Sequence, residues 1–321
     1  MAGIKRGIWI AAMLVFTGLF TGGFESPFTG VPSGWPGLSG AVAGEHTNHR
    51  APVLAVPGRV GMGQPFLVRL TSDKPLTGVS MVWMGKTATP SVSVWNGRHV
   101  ALAMMGTDVL TARPGAVPLE IRAVAGGRPF TWQRKIRITS KTFPRQELRL
   151  PKKMVTPPAS VLDRIKQERK RTGAAKNTWS DRRMWRLPFY RPVPGKITSV
   201  YGLRRVLNNI PKNPHRGLDF RAATGSPVKS VAQGRVILVE DHYYAGNSIY
   251  IDHGNGVVSL YFHLEKFLVK PGDTVGRGEV IGLAGSTGRS TGPHLHLSVS
   301  VNGQLVDPAP LFTSTADQLL K

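Results

Sequence analysis

The chain has 321 residues, with 42 Lys or Arg against 18 Asp or Glu, a formal charge of +24 and no cysteine. The lack of cysteine excludes a disulfide framework and any thiolate metal site, and the length allows two domains with separate cores. So large a positive charge points to an anionic partner such as nucleic acid, an acidic lipid surface or an anionic wall polymer, while 37 Gly and 25 Pro favour short strands joined by turns.

Lys5 and Arg6 precede an uncharged, mostly apolar run from Gly7 to Phe24, the pattern of a secretory signal peptide or an N-terminal membrane anchor over residues 1–24. Its 18 residues, interrupted by Gly18, Gly22 and Gly23, sit at the short limit for spanning a bilayer. Ala41-Val42-Ala43 has the small-x-small form of a cleavage site but lies far behind the apolar run, so cleavage and retained anchoring both stay open. Either way the body of the protein is expected outside the cytoplasm, in the periplasm or cell envelope, and possible anchoring would hold it at the inner membrane. Residues 25–50, rich in Gly, Pro and Ser, read as a flexible tether.

Residues 51–140 hold strand-like runs at 66–70, 79–83, 91–95, 100–104, 117–123 and 131–138, separated by Ser72-Asp73, Asn96-Gly97 and Gly126-Gly127. Leu119 and Ile121 alternate with Glu120, and Ile136 and Ile138 with Arg137, which is the period of a half-buried strand. The runs predict a small antiparallel β-sandwich of about seven strands. With His99 as its sole histidine, it carries no catalytic constellation and reads as an accessory domain. Residues 141–192 form a basic linker, with fifteen Lys or Arg against four Asp or Glu up to Arg191. A short amphipathic helix is predicted there over 159–171, after Pro157-Pro158. Trp179, Trp185, Phe189 and Tyr190 interleave with Arg182, Arg183 and Arg186. Such aromatics either stack on bases or pack a linker onto the next domain, and the second reading is preferred. Export argues against chromosomal DNA, and no nucleic-acid motif accompanies the charge, so an anionic envelope surface is the expected partner.

Residues 193–312 read as a second β domain, with strand-like runs at 196–201, 234–240, 248–252, 257–263 and 295–301, and 313–321 as a C-terminal tail. Here the chemistry collects. His215 and Asp219 stand four apart, and His294 and His296 stand two apart in Gly-Pro-His-Leu-His-Leu. In an extended strand residues two apart share a face, so both late imidazoles can address one point. A catalytic zinc takes three protein ligands and keeps one position for water; His215, Asp219 and one histidine of the late pair could supply that set. His263, in Tyr261-Phe262-His263-Leu264, adds an imidazole at a strand end. A lone His-x-His is more often a surface or internally satisfied pair, and it is the combination that carries weight. His242 and His253, beside turn residues, are read as structural or exposed. Tyr243, Tyr244 and Asn247 are candidates to border a peptide groove, and Asn208 or Asn209 to line it.

These motifs, in this order and led by Tyr201-Gly202-Leu203-Arg204, resemble the lysostaphin/LytM-type zinc metalloendopeptidases that cut peptide cross-links of bacterial peptidoglycan. The resemblance covers about residues 195–312. It implies a LytM-type antiparallel β catalytic domain, one zinc ion held by His215, Asp219 and His296, and His263 and His294 as the catalytic histidines. It further implies an exported hydrolase acting on peptidoglycan stem peptides, a mostly β protein with the sandwich ahead of the catalytic domain. The tyrosine that some relatives place shortly before the first ligand is missing from Leu207-Asn208-Asn209-Ile210. A different kind of function, a non-catalytic wall-binding regulator of other cell-wall hydrolases, fits relatives that have lost ligands; this chain keeps them all. The exported residues placed ahead of the catalytic domain raise a further expectation, that the accessory module or linker covers the groove until displaced, as in some relatives.

Overall fold

The computed structural model describes residues 51–321; the expected signal or anchor and the tether lie outside the described residues. The fold below is that of the described residues alone. Among the described residues no helix is long and apolar enough to cross a membrane.

Nine strands come first: β1 (Val53–Ala55), β2 (Arg59–Gly61), β3 (Pro65–Ser72), β4 (Leu76–Trp83), β5 (Lys86–Ala88), β6 (Val92–Trp95), β7 (Arg98–Gly106), β8 (Gly115–Ala125) and β9 (Arg128–Thr139). They form two sheets, ordered β1-β3-β7-β6 and β2-β9-β8-β4-β5. All pairs are antiparallel except β2 with β9. On β8, Leu119, Ile121, Ala123 and Ala125 are buried while Glu120 and Arg122 turn outward, so the period of two read from the sequence puts one face into the sandwich core. Asn96-Gly97 and Gly126-Gly127 both adopt positive φ and close two-residue hairpins between β6 and β7 and between β8 and β9. That is the turn whose twist matches flanking strands. Met84-Gly85 does the same and creates β5; with β1 and β2 this makes nine strands rather than seven, because three-residue strands carry no readable period. The core centres on Trp83, whose indole N–H donates to the Gly106 carbonyl at 2.7 Å and whose ring meets Phe66 edge-on at 5.3 Å.

The next segment holds β10 (Arg145–Leu148), a single turn α1 (Lys152–Val155) and α2 (Leu162–Lys176). The helix expected over 159–171 begins as a 3-10 turn at Ala159–Val161 and runs on to Lys176. It is clamped rather than free: Arg164 pairs with Asp241 at 3.0 Å, Arg171 with Glu240 at 2.8 Å, and the buried Glu168 accepts the Tyr243 N–H at 3.0 Å. Trp185 and Phe189 are buried in the core of the following sheet, as expected for aromatics that pack a linker inward.

The second sheet has ten strands: β11 (Ile197–Ser199), β14 (Leu218–Arg221), β15 (Pro227–Lys229), β16 (Gly234–His242), β17 (Gly246–Asp252), β18 (Val257–Phe267), β19 (Thr274–Val275), β20 (Val280–Ala284), β21 (His294–Val301) and β22 (Gln304–Val306). Its main path runs β11-β14-β21-β18-β17-β16-β19. A hairpin of β12 (Arg204–Leu207) and β13 (Ile210–Pro211) stands apart and takes β10 as a parallel neighbour. The protein is therefore mostly β, as its sequence predicts. The two sheet systems touch closely. Leu67 and Met104 of the sandwich join the core of the second sheet, and the buried Tyr201 hydroxyl donates to the Leu305 carbonyl at 2.7 Å while accepting the Val109 N–H at 3.0 Å. A short helix α3 (Ala309–Thr313) follows. Residues 313–321, expected as a tail, bury Leu319 and Leu320 in the same core, because two adjacent leucines gain more from burial than a solvated end would.

His253 is fully buried. Its Nδ1 donates to the Gln233 carbonyl at 2.8 Å and its Nε2 lies 2.7 Å from Ser259 Oγ. Burial pushes its pKa down from 6.5 to about 4. The neutral ring therefore stabilises the fold fully above about pH 6.5, and that contribution is lost as pH falls toward 4, since the unfolded chain takes the proton first. The stability gap between the protein and His253→Gln, measured by denaturant unfolding, should shrink by roughly 2–3 kcal/mol from pH 7.5 to pH 4.5. A gap independent of pH would show that another group carries the acid sensitivity.

Candidate metal centre and groove

Three adjacent strands of the second sheet build the site. Asp219 on β14 sits opposite His296 on β21, and Phe262 on β18 sits opposite His296 from the other side. His294, two residues back on β21, shares its face with His296, while Leu295 between them is fully buried. His215 comes from the loop before β14. It is held by backbone bonds with the Tyr201-Gly202-Leu203 segment, Gly202 N to His215 O at 2.7 Å and His215 N to Leu203 O at 2.9 Å. Gly217 is required here: a Cβ would come within 2.6 Å of His296 Nε2 and 2.4 Å of the Leu297 carbonyl.

His215, Asp219 and His296 are buried, and their ligand atoms lie within 4.8 Å of one another. His215 Nε2 is 3.0 Å from Asp219 Oδ1 and 2.9 Å from His296 Nδ1, and His296 Nδ1 is 2.7 Å from Asp219 Oδ1. The outer nitrogens determine the tautomers. His215 Nδ1 faces the Val200 carbonyl at 2.9 Å, an acceptor only, so it carries the proton. Ser298 Oγ gives its proton to the Arg216 carbonyl at 2.7 Å and so must accept from His296 Nε2 at 2.8 Å. Both inner nitrogens are thereby left as lone pairs beside a carboxylate oxygen. Arg205 Nη2, paired with Asp219 at 2.9 Å, supports the carboxylate form. Three converging acceptors with no proton among them form a cation site. Two imidazoles and one carboxylate, with outer nitrogens oriented by a carbonyl and a hydroxyl, suit zinc.

His263 and His294 lie beside this group with ring centroids 4.8 Å apart. His263 has φ of +63°, at a point where the β17–β18 register shifts: Ile249 pairs with Tyr261, but Asn247 pairs with Leu264. The extra residue is a bulge. It lets the consecutive Phe262 and His263 both address the site, where a regular strand would send them to opposite faces. Phe262 stacks on His296 at 5.2 Å with a 2° interplanar angle. His263 Nδ1 donates to the Thr287 carbonyl at 2.8 Å and His294 Nδ1 to the Gly292 carbonyl at 2.8 Å, so both rings leave Nε2 free of these backbone bonds. His294 Nε2 is 3.8 Å from Asp219 Oδ1. Burial, reinforced by His294 and His296, pushes the pKa of His263 down to about 3, so this ring is neutral at neutral pH.

The site opens into a groove of about 380 Å³ lined by Arg205, Lys212, Tyr244, Phe262 and Arg289 among others. Residues 145–156 lie over it as a strap. β10 runs parallel to β12 from Arg145↔Arg204 to Leu148↔Leu207, and Asn208 then grips Leu150 through both backbone groups at 2.9 and 2.7 Å. Beyond, the carbonyls of Lys153, Met154 and Val155 accept from Tyr243 Oη (2.7 Å), Arg289 Nη1 (3.5 Å) and Lys212 Nζ (2.9 Å). Val155 and Leu148 line the cavities that hold His263. Tyr244 borders the groove as expected. Asn208 and Asn209 form the positive-φ hairpin turn, and Asn208 serves the strap rather than the cleft. Arg205 and Arg289 were missed by sequence reasoning. Arg289 lies in the polar Gly-Ser-Thr-Gly-Arg-Ser-Thr-Gly run ahead of His294, where a single long cation was the only signal.

The model of Peptidase family M23 matches residues 213–308. Peptidoglycan DD-endopeptidase ShyA of Vibrio cholerae is 46% identical over 120 residues, which cover 36% of this chain and 28% of that protein. DD-carboxypeptidase/endopeptidase Mpg of Neisseria meningitidis is 45% identical over 103 residues, covering 32% of this chain and 24% of the relative. The match thus spans under a third of the length of these curated relatives. A solved structure from Pseudomonas aeruginosa assigned to peptidase M23 aligns over 80% of this chain and 95% of its own, with 31% identity and a TM-score of 0.57. An alignment that takes in nearly the whole of that chain at 31% identity, together with a family match whose range contains His215, Asp219 and His296, leads to one conclusion: this chain belongs to peptidase family M23.

Proposed function

We propose that the protein is an exported zinc metalloendopeptidase that hydrolyses peptide cross-links of bacterial peptidoglycan in the periplasm or cell envelope. The observation that carries the reading is the convergence of His215 Nε2, Asp219 Oδ1 and His296 Nδ1 beside two further imidazoles in an open groove. The three would hold one zinc ion. The chemistry zinc supplies when bound is Lewis acidity toward the scissile carbonyl and a lowered pKa for water. The chain's own groups do the rest. The Nε2 of His263 or His294 accepts the proton of the attacking water and returns it to the leaving amine. The protonated ring, while it holds that proton, is a donor for the developing oxyanion. Arg205 holds the Asp219 carboxylate in place at 2.9 Å, and Phe262 fixes the His296 ring plane by stacking.

The net charge of +24 supports retention at anionic wall or membrane polymers, an attraction that salt screens. A non-catalytic regulator has no observation in its favour, since ligands and both neighbouring histidines are present. Purified protein stripped with a chelator should release no fragments from isolated peptidoglycan and should recover on adding zinc, with mass spectrometry of the fragments naming the bond. Undiminished release after complete removal of metal would overturn the reading.

A further inference from the structure

The groove carries a charge pattern that its hydrolytic residues do not use. Its lining includes five cations, Arg169, Arg205, Lys212, Arg216 and Arg289, and no carboxylate. Arg216 is paired with Asp108 at 3.2 Å and Arg205 with Asp219 at 2.9 Å. Arg289, which lines both cavities that contain His263, has no carboxylate partner among the described residues. It is nonetheless held in place. Its backbone N–H donates to the Tyr244 carbonyl at 2.8 Å, and its guanidinium lies 4.4 Å from the centroid of the Tyr244 ring. The one polar contact of its guanidinium is the strap carbonyl of Met154, at a long 3.5 Å. Arg205 lines the same two cavities, and its Nε is buried without a hydrogen-bond partner. Burial, with Arg205 nearby, lowers the pKa of Arg289.

Two partly buried guanidinia beside the reacting atoms, one with only a weak neutral acceptor and one with an unmet N–H, are a site prepared for an anion. The planar fork of a guanidinium matches a carboxylate in two parallel hydrogen bonds, and stacking on Tyr244 preorganises it at little entropic cost. The Met154 carbonyl, at 3.5 Å, then stands in for the stronger acceptor that such a fork accommodates.

We propose that Arg289, supported by Arg205, is a specificity subsite that receives a free carboxylate of the substrate close to the scissile bond, so that carboxylate-bearing stem peptides are selected over amidated ones. This rests on the peptidase reading above. The substrate class is a peptide with an α- or side-chain carboxylate within about two residues of the cleaved bond.

The test uses the full zinc-loaded chain and two fluorescent cross-linked peptides that differ only in bearing a carboxylate or a carboxamide beside the scissile bond. Binding is measured by anisotropy and cleavage by chromatography. The protein should bind the carboxylate peptide roughly 10- to 100-fold more tightly, the scale of a charge-assisted pair against a neutral one. In Arg289→Gln that ratio should fall toward one, with Arg289→Lys intermediate and unfolding temperatures confirming that both variants fold. A wild-type ratio near one, or a ratio that Arg289→Gln leaves unchanged, would overturn the subsite. Binding that discriminates between the peptides without cleavage of either would uphold the subsite and refute the peptidase reading instead.

Discussion

Replacing His296 by Ala should remove both metal and activity, whereas His294→Ala should keep the metal and lose activity alone. His296 Nδ1 sits 2.7 Å from Asp219 Oδ1 and 2.9 Å from His215 Nε2, at the centre of the converging lone pairs. His294 Nε2 stands off at 3.8 Å from the same carboxylate oxygen. Loss of one of three ligands leaves a buried carboxylate and a single imidazole, a poor set for zinc. Loss of a proton-handling imidazole costs roughly 100- to 10,000-fold in kcat. Metal content per chain, measured by mass spectrometry after dialysis against limiting zinc, should be near one for His294→Ala and near zero for His296→Ala, with turnover depressed in both. Metal-free His294→Ala protein would reverse the division of roles. The comparison is informative because the two residues share one strand face, so a general disruption of β21 would affect both alike.

Locking the strap should silence the protein reversibly. Residues 145–156 run from the β12–β13 hairpin to Tyr243 and Arg289 beside the groove, where they would compete with an extended peptide for the same space. The cysteine-free chain permits a clean trap: Glu147→Cys with Val206→Cys places two thiols on directly paired residues of β10 and β12. Neighbouring strands lie about 4.7–4.9 Å apart, within the span a disulfide bridges. Oxidised protein should be at least ~10-fold less active than the same protein after reduction. In the opposite direction, Asn208→Gly with Tyr243→Phe removes three hydrogen bonds to the strap while retaining the positive φ of residue 208. At about 0.5–1.5 kcal/mol each, their loss should raise the open population and kcat/KM by roughly tenfold or more, as long as the open form is the minor one. Equal activity of oxidised and reduced protein would show that the strap does not control access.

Local sequence carried the fold class and the five residues that now meet at one point. The reason is periodicity: spacing two on β21 and the alternation on β8 are properties of a strand whatever it pairs with. Turn chemistry was equally local, since a two-residue hairpin requires positive φ and Asn96-Gly97 and Gly126-Gly127 are residue pairs that adopt it at low cost. Strands β1, β2 and β5, three residues each, were illegible because their pairing partners rather than their own pattern make them strands. The bulge at His263 was illegible too. Sequence placed that histidine at a strand end, but only the mismatch between β17 and β18 turns Phe262 and His263 onto the same side.

Sequence by itself determined that this is a mostly β chain, and through its resemblance to the lysostaphin/LytM-type family it singled out His215, Asp219, His263, His294 and His296, because residue type and motif order carry that resemblance without any tertiary contact. Tertiary structure decided which nitrogens of His215 and His263 face inward, since Val200 and Thr287 orient those rings from 15 and 24 positions away, whereas Gly292 and Ser298 orient His294 and His296 from two residues away along the chain. It also decided that Arg205 meets Asp219, that Arg289 lacks an acidic partner among the described residues, and that a segment expected as linker crosses the groove. Those contacts join residues from 14 to 135 positions apart. Their energies come from burial and convergence, which no local pattern encodes.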